Sequence, residues 1–350
     1  MRILLDGMGG DNAPKEIVKG AAIASKMIDH EICILGDEEQ IKAELDKNDH
    51  NEKKISIIHA SEVITFDDTP VKAIRAKKDS SLVKGLNLVK NGEADMIISA
   101  GNSGAIMTGG LLLLGRIKGM DRPALASPYP MLGKGTGGIG LLIDAGANSE
   151  CKPRNLLHFA TMGTIYTEKV FNIANPKVGL VNMGTEPGKG SKMLKDTYKL
   201  LQESTELGIN FIGNIEGRDV PYGIADVIVC DGMTGNVILK LTEGVAMSIS
   251  GLMSRKFKSN VKAKIGAMIL MDKLKEMKKS FDYSEYGGAP ILGIKAPVIK
   301  IHGSSNANAV KSGILKAIPF VENKVIATIE NSIDKLSSIE GMIPSEDDEQ

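Results

Sequence analysis

A unit made of a short apolar run followed by glycine and small polar residues recurs along the whole chain. It is clearest where Ile3–Leu5 leads into Asp6-Gly7-Met8-Gly9-Gly10 and where Val298–Ile301 leads into His302-Gly303. Further copies end at positions 99–104, 144–148, 182–186, 213–214 and 231–232. Short apolar runs that alternate with helical segments are typical of parallel strands buried on both faces of a sheet. The sequence therefore predicts an α/β fold with a mostly parallel sheet.

The glycine and polar clusters at the strand ends predict one shared ligand site. Parallel sheets bind ligands beyond the carboxyl ends of their strands. A glycine loop that opens a helix offers main-chain N–H groups and a positive helix end, which suit a phosphate. Any single loop is more often a plain turn, but seven similar ones favour a site. The candidate phosphate- or substrate-binding residues are Asp6, Gly9, Gly10, Asn12, Asn102, Ser103, Gly184 and Asp231.

Three residues at strand ends are candidates for catalysis. Lys189 lies between glycines in Pro187-Gly188-Lys189-Gly190, where its ammonium would stabilise a phosphate or an oxyanion, although most loop lysines are simply solvated. Asn236 would orient a substrate or only cap the helix that begins near it. His302 follows a strand and would donate a proton or form a structural hydrogen bond.

Composition excludes several classes of function. Lysine and arginine number 43 and so do aspartate and glutamate, so the net charge gives no sign of nucleic-acid binding. The three cysteines, Cys33, Cys151 and Cys230, are too few and scattered for a disulfide framework or a zinc site. We expect no metal and no cofactor. Neither a secretory signal nor an apolar stretch of membrane-spanning length is expected, which predicts a cytoplasmic protein.

Residues 245–285 break the repeating pattern and predict a protruding basic helical hairpin. Between Arg255 and Lys279 the net charge is +7, and the apolar residues keep helical spacing on either side of a tip. The tip residues are Met268, Ile269, Leu270 and Met271. Such a hairpin suits an anionic membrane surface, an acidic protein partner or a dimer interface. Residues 1–338 are expected to form one domain, and residues 339–350 an acidic, flexible tail.

Seven stretches taken together resemble one family, the bacterial phosphate acyltransferases of the PlsX family. They lie in matching order over residues 1 to about 315, beginning with Asp6-Gly7-Met8-Gly9-Gly10-Asp11 and ending with Tyr286-Gly287-Gly288-Ala289-Pro290 and His302-Gly303. The five between are Ala100–Ala105, Asp144–Asn148, Asn182–Gly190, Gly213–Asp219 and Asp231–Asn236. The resemblance implies a Rossmann-like α/β/α sandwich related to phosphotransacetylase and isocitrate dehydrogenase-like folds.

The resemblance also implies an activity and partners. Such an enzyme forms acyl phosphate from acyl-acyl carrier protein and inorganic phosphate, by direct attack of phosphate on the thioester. It would be a homodimer on the inner face of the cell membrane and would supply a membrane glycerol-3-phosphate acyltransferase in phospholipid synthesis. Two enzymatic alternatives are a phosphotransacetylase acting on acyl-CoA and, with less support because the dinucleotide fingerprint is missing, a nicotinamide dehydrogenase. A membrane-bound scaffold that binds a metabolite without turnover is the non-enzymatic alternative.

Overall fold

The computed structural model describes residues 1–131, 138–272, 274 and 287–340. The strands are β1 Arg2–Asp6, β2 Glu31–Gly36, β3 Ile55–His59, β4 Met96–Ser99, β5 Ala124–Pro130, β6 Ile139–Ile143, β7 Lys177–Asn182, β8 Asn210–Glu216, β9 Val227–Val229, β10 Ala289–Leu292 and β11 Val298–Lys300. The α-helices are α1 Lys15–Ser25, α2 Glu38–Leu45, α3 Pro70–Ala76, α4 Ser81–Lys90, α5 Ser103–Gly109, α6 Pro153–Phe171, α7 Lys192–Glu203, α8 Gly232–Phe257, α9 Val261–Ile269, α10 Ala307–Glu322 and α11 Val325–Glu340. A π-helix, Gly110–Leu114, continues α5, and short 3-10 helices span Ser204–Leu207 and Val220–Tyr222.

All these strands join one sheet in the order β3-β2-β1-β4-β11-β10-β5-β6-β9-β7-β8. The first five strands are mutually parallel, and so are the last four. Between the two halves, β10 is antiparallel to both of its neighbours, and β5 is antiparallel to β6. The prediction of a mostly parallel α/β sheet is confirmed, but the two halves run in opposite directions.

Side chains of each strand alternate between the two faces of the sheet, as a pleated strand requires. Ile3 and Leu5 lie in one hydrophobic cluster, which α1, α6, α10 and α11 cover and which extends over both halves. Leu4 lies on the opposite face, in a cluster with residues of α3, α4 and α5. The second half has a separate cluster on that face, around Leu142. The sheet is therefore covered continuously on one face and divided on the other.

The short strand β10 explains how two opposed halves share one site. Ala289 pairs with Lys300 at the end of β11, and Leu292 pairs with Ala124 at the start of β5. The next residues of β5 lie beside the end of β6, where Ala126 pairs with Ile143. Counted through these pairs, Ile143 lies level with Pro290, one residue from the level of Lys300, so the carboxyl ends of the two halves meet at nearly the same height of the sheet.

The hairpin region differs in part from its prediction. The turn 258–260, with Asn260 as the N-cap of α9, already separates α8 from α9, and this break was not predicted. A second break lies at Leu270, at the predicted apolar tip, before helical residues resume at Met271. Met268 and Ile269 are 65% and 79% exposed, which matches a protruding tip. The remainder of the predicted hairpin, 275–285, and the tail from 341 onward lie outside the described residues.

Two other expectations require correction. No apolar stretch of membrane-spanning length was expected, yet α8, of 26 residues, is long and apolar enough by length and composition alone. Its first turns nevertheless pack against the sheet. Gly235 lies so close to the main chain of Asp144 that a Cβ there would collide with it. A turn was also expected at Gly213-Asn214. Gly213, with φ +101°, instead lies inside β8, where the register with β7 shifts around Ile212.

Candidate active site

A cleft of about 380 Å³ opens on the divided face of the sheet. Its floor includes Leu125, which packs against the clusters of both halves. The loops after β1, β4, β6 and β11 and the start of α8 after β9 contribute Asp11, Gly101, Gly146, His302 and Asn236 respectively. Five of the seven predicted strand-end loops therefore meet here, as the sequence predicted. The loops after β7 and β8 contribute no lining residue among those the structure describes.

Asp6 holds the loops together and is not among the described residues that line the cleft, so its predicted contact with phosphate stays a prediction. Its carboxylate is buried and accepts hydrogen bonds from the hydroxyls of Ser81 and Ser99, both at 2.6 Å. Ser99 Oγ in turn accepts the N–H of Gly101 at 3.0 Å. Gly9 packs so tightly here that a Cβ would lie 2.5 Å from Asp6 Oδ2. The β1 loop therefore fixes the main chain of the β4 loop, which does line the cleft.

Other predicted ligands also serve mainly as structural connections. Gly10 has φ +105°, and the next N–H, of Asp11, donates to Gly303 O at 2.8 Å. The side-chain amide of Asn12 donates to Ser304 O at 3.2 Å. Asn102 caps α5 through Ala105 N–H and donates to Phe66 O at 3.2 Å. These contacts join the β1, β4 and β11 loops into one rigid wall, along which Ser103 is exposed to the cleft.

Asp231, and not Asn236, caps α8. The Asp231 carboxylate accepts the N–H of Thr234 at 2.9 Å and its hydroxyl at 2.8 Å. Asn236 lies one turn further along, where its side chain packs 3.4 Å from the position of a Cβ on Gly146. The capping interpretation of Asn236 is therefore wrong, and Asn236 lines the cleft opposite the β4 loop.

Two lysines that the sequence analysis missed line the cleft. Lys300 ends β11 and, among the described residues, forms neither a hydrogen bond nor an ion pair within 4 Å. Burial, and the nearby charge of Lys240, lower the pKa of Lys300 below its ordinary value. Lys240 lies one turn after Asn236 in α8 and pairs with Glu243 at 2.7 Å. A lysine in the apolar strand Val298–Ile301 was a signal for the site, because lysine is seldom buried without a partner.

His302 lines the cleft two residues after Lys300. Its Nδ1 accepts the main-chain N–H of Ser304 at 3.2 Å and lies 2.8 Å from the Ser304 hydroxyl. A neutral ring that accepts at Nδ1 carries its proton on Nε2. Burial, followed by the charge of Lys300, lowers the pKa of His302. At neutral pH the ring is therefore a neutral imidazole that donates from Nε2.

Lys189 and Gly184 lie away from this cleft, on the loop after β7. Lys189 is half exposed and its ammonium is 3.8 Å from Glu186 Oε1. The amides of Asn182 and Asn214 hold the loop by donating to Lys189 O at 3.1 Å and to Glu186 O at 2.8 Å. The structure therefore does not bring Lys189 together with Asn236 and His302.

The cysteines and acidic residues offer no alternative chemistry in the described part of the chain. Burial raises the pKa of Cys151 to about 12, so its thiol is protonated at neutral pH and is a poor nucleophile. No group of three or more histidine, cysteine, aspartate or glutamate side chains there has the geometry of a metal site. The expectation of a reaction without metal or cofactor remains a prediction.

Comparison with known proteins gives one consistent result. A family model described as fatty acid synthesis protein matches residues 1–328. A phosphate acyltransferase from Alkaliphilus oremlandii is 54% identical over 340 residues, covering 97% of this chain and 99% of the relative. Another from Clostridioides difficile is 49% identical over 335 residues, covering 96% and 97%. A phosphotransacetylase from Streptococcus pyogenes has a similar fold, with TM-score 0.60, 17% identity and coverage of 93% and 94%. The predicted relation to the phosphotransacetylase fold is thus confirmed.

Proposed function

This chain belongs to the fatty acid synthesis protein family, and we propose from that premise that it transfers an acyl group from acyl carrier protein to inorganic phosphate. The structural observation that carries the proposal is the ammonium of Lys300, which pairs with no side chain that the structure describes, in a cleft where glycine-rich loops of both halves converge. A partly buried cation without a partner needs an anion to offset its desolvation. Phosphate is an anion of the right size and charge for such a cleft.

Lys300 is the phosphate-binding residue in this proposal, in place of Lys189. Lys240 reinforces the positive field, while its ion pair with Glu243 keeps it at the rim of the cleft. The rigid wall of the β1, β4 and β11 loops places main-chain dipoles around the anion at no cost in reorganisation. Holding phosphate and thioester in one cleft converts a bimolecular encounter into an intramolecular attack.

The reaction balances without an external acid or base. An oxygen of the phosphate dianion attacks the thioester carbonyl carbon, and the carbonyl oxygen becomes an oxyanion. Asn236 orients the carbonyl and donates its amide N–H to that oxyanion. Collapse breaks the C–S bond, and the neutral His302 donates its Nε2 proton to the departing sulfur. The ring stays neutral because Nδ1 receives a proton as Nε2 gives one up. That proton comes from the phosphate hydroxyl and passes through the hydroxyl of Ser304, which lies 2.8 Å from Nδ1.

The product sets the place of the enzyme in metabolism. An acyl phosphate is a reactive mixed anhydride, and we propose that a membrane glycerol-3-phosphate acyltransferase consumes it in phospholipid synthesis. The enzyme would then work as a cytoplasmic homodimer at the inner face of the cell membrane. The exposed apolar tip Met268–Met271, with Lys262 and Lys264 exposed on α9 nearby, supports a peripheral contact with anionic lipid.

Liposome binding tests this membrane contact. Replacing Ile269 and Leu270 with Asp should release the protein from anionic liposomes and leave turnover of soluble substrate intact. The matched control replaces Met247 and Leu252 with Asp, which introduces the same two charges at exposed apolar residues of α8 away from the tip. If the tip variant instead becomes monomeric or unfolds, the hairpin serves dimerisation and the membrane proposal fails.

The decisive test of function is the formation of acyl phosphate from acyl-acyl carrier protein and inorganic phosphate without added metal. Acyl-CoA is run in parallel as the second donor. Phosphate-dependent turnover that prefers the carrier-protein donor supports the proposal. Preference for acyl-CoA would support a phosphotransacetylase, and no turnover with either donor would leave a protein that binds a metabolite without catalysis.

A further inference from the structure

A second groove, of about 650 Å³, lies along α5. The two cavities share the loop after β6, because Ala145 and Gly146 line the cleft while Ala147 and Asn148 line the groove. They also share α5, where Ser103 lines the cleft. The groove and the cleft therefore adjoin each other at the β6 loop and at α5.

The floor of the groove is apolar and follows one helix face. Met107 and Leu111 line it, four and eight residues after Ser103. Residues spaced by four lie on one side of a helix, so the path from Ser103 to Leu111 is about 12 Å long. The π-helix that begins at Gly110 widens the turn and keeps Leu111 on this side, 37% exposed. Such single-turn π-helices are frequent at functional sites.

The rim of the groove is basic. Arg116, Arg122 and Lys152 line it together with Asp121 and Glu150. Asp121 is already engaged, because its carboxylate is 3.6 Å from Arg154 Nε and its carbonyl accepts from Arg116. The exposed guanidinium of Arg122 makes neither a hydrogen bond nor an ion pair with any residue that the structure describes. The groove thus combines an available cation with an apolar path.

We propose that this groove binds the phosphopantetheine arm of the acyl donor, with Arg122 contacting its phosphodiester. The inference rests on the function proposed above and adds the donor-binding residues. A phosphopantetheine arm has the matching chemistry, since it carries a thioester at one end, a mostly uncharged chain between and a phosphodiester at the other. Arginine suits phosphate because its planar guanidinium donates two parallel hydrogen bonds.

The test compares three donors that share the acyl-pantetheine thioester and differ in what is attached beyond it. They are acyl-acyl carrier protein, acyl-phosphopantetheine and acyl-pantetheine, the last lacking the phosphate. Arg122→Ala should lower kcat/KM about tenfold for both phosphate-bearing donors, which corresponds to the loss of one charge-assisted contact. It should leave acyl-pantetheine and the KM for inorganic phosphate unchanged. Lys118→Ala is the matched control, because Lys118 is exposed on the same segment and is not among the lining residues.

A second pair of variants tests the apolar floor. Leu111→Glu should weaken all three donors, because it places a carboxylate in the path of the arm. Leu112→Glu, at the neighbouring residue with 49% exposure, should not.

An equal loss for acyl-pantetheine in Arg122→Ala would overturn the proposal, as would a loss confined to the carrier-protein donor, which would place Arg122 against the carrier protein itself. If wild type forms no acyl phosphate from any donor, the proposed function fails; if it does and both variants match wild type, only this inference fails.

Discussion

The ends of β7 and β11 each have a lysine and glycines nearby in sequence, yet the surroundings of the two lysines differ. Lys189 belongs to a loop next to the edge of the sheet, where it is half exposed and paired with Glu186. Lys300 lies on a central strand beside β10, partly buried and without such a partner among the described residues. The local pattern identifies a loop, and the position of its strand in the sheet decides whether the loop reaches the site.

The largest expected effect comes from removing each lysine in turn. Lys300→Met should lower kcat/KM for phosphate by roughly 10³-fold, because it removes the cation that holds the attacking anion. Lys189→Met should stay within about twofold of wild type, since its partner is a solvent-exposed carboxylate. Steady-state kinetics with phosphate as the varied substrate measures both. A large loss in Lys189→Met with none in Lys300→Met would reverse the comparison and return the phosphate site to the β7 loop.

His302 extends the comparison to the leaving group. His302→Ala should lower the rate with an alkyl thioester by about 10²-fold, the typical contribution of a positioned general acid. The loss should nearly disappear with an aryl thioester, whose thiolate leaves without a proton. Rates with the two donors, each at saturating phosphate, give the measurement. Equal losses for both donors would show that His302 supports the loop and does not protonate sulfur.

The pH profile distinguishes the two lysines by their surroundings. Lys300 binds phosphate only when protonated, and burial lowers its pKa below 10.5, so activity should fall as the pH rises through that lowered value. In Lys300→Arg this alkaline loss should vanish, because arginine stays charged at every accessible pH. Lys189→Arg should leave the profile of kcat/KM unchanged. An alkaline loss that persists in Lys300→Arg would assign it to another group.

Much of this architecture was predictable, because apolar runs and glycine turns are local signals. The strands around Leu4, Ile97 and Leu142 and the convergence of their following loops were correctly expected. The antiparallel strand β10 was not, because pairing between Ala289 and Lys300 depends on contacts that no local pattern records. Lys300 was not predicted as a site residue for the same reason. Its burial in the cleft depends on α8 and β4, which are distant from it in sequence. The break at 258–260 was missed because Asn260 resembles any polar helix residue until its cap is seen.

The hydrogen bonds that support the β4 loop, which lines the cleft, should matter for turnover, and those that support the β7 loop should not. Ser99→Ala removes a buried hydroxyl that donates to Asp6 Oδ2 and accepts from Gly101 N–H, so that oxygen and that N–H both lose this partner. The free energy of unfolding should fall by about 1–3 kcal/mol, and turnover should fall a few-fold because Gly101 lines the cleft. Asn214→Ala removes the amide that donates to Glu186 O and should cost about 1 kcal/mol with no change in turnover. Urea denaturation measures stability and steady-state kinetics measures turnover; a loss of turnover in Asn214→Ala at full folding would show that the β7 loop takes part in the reaction after all.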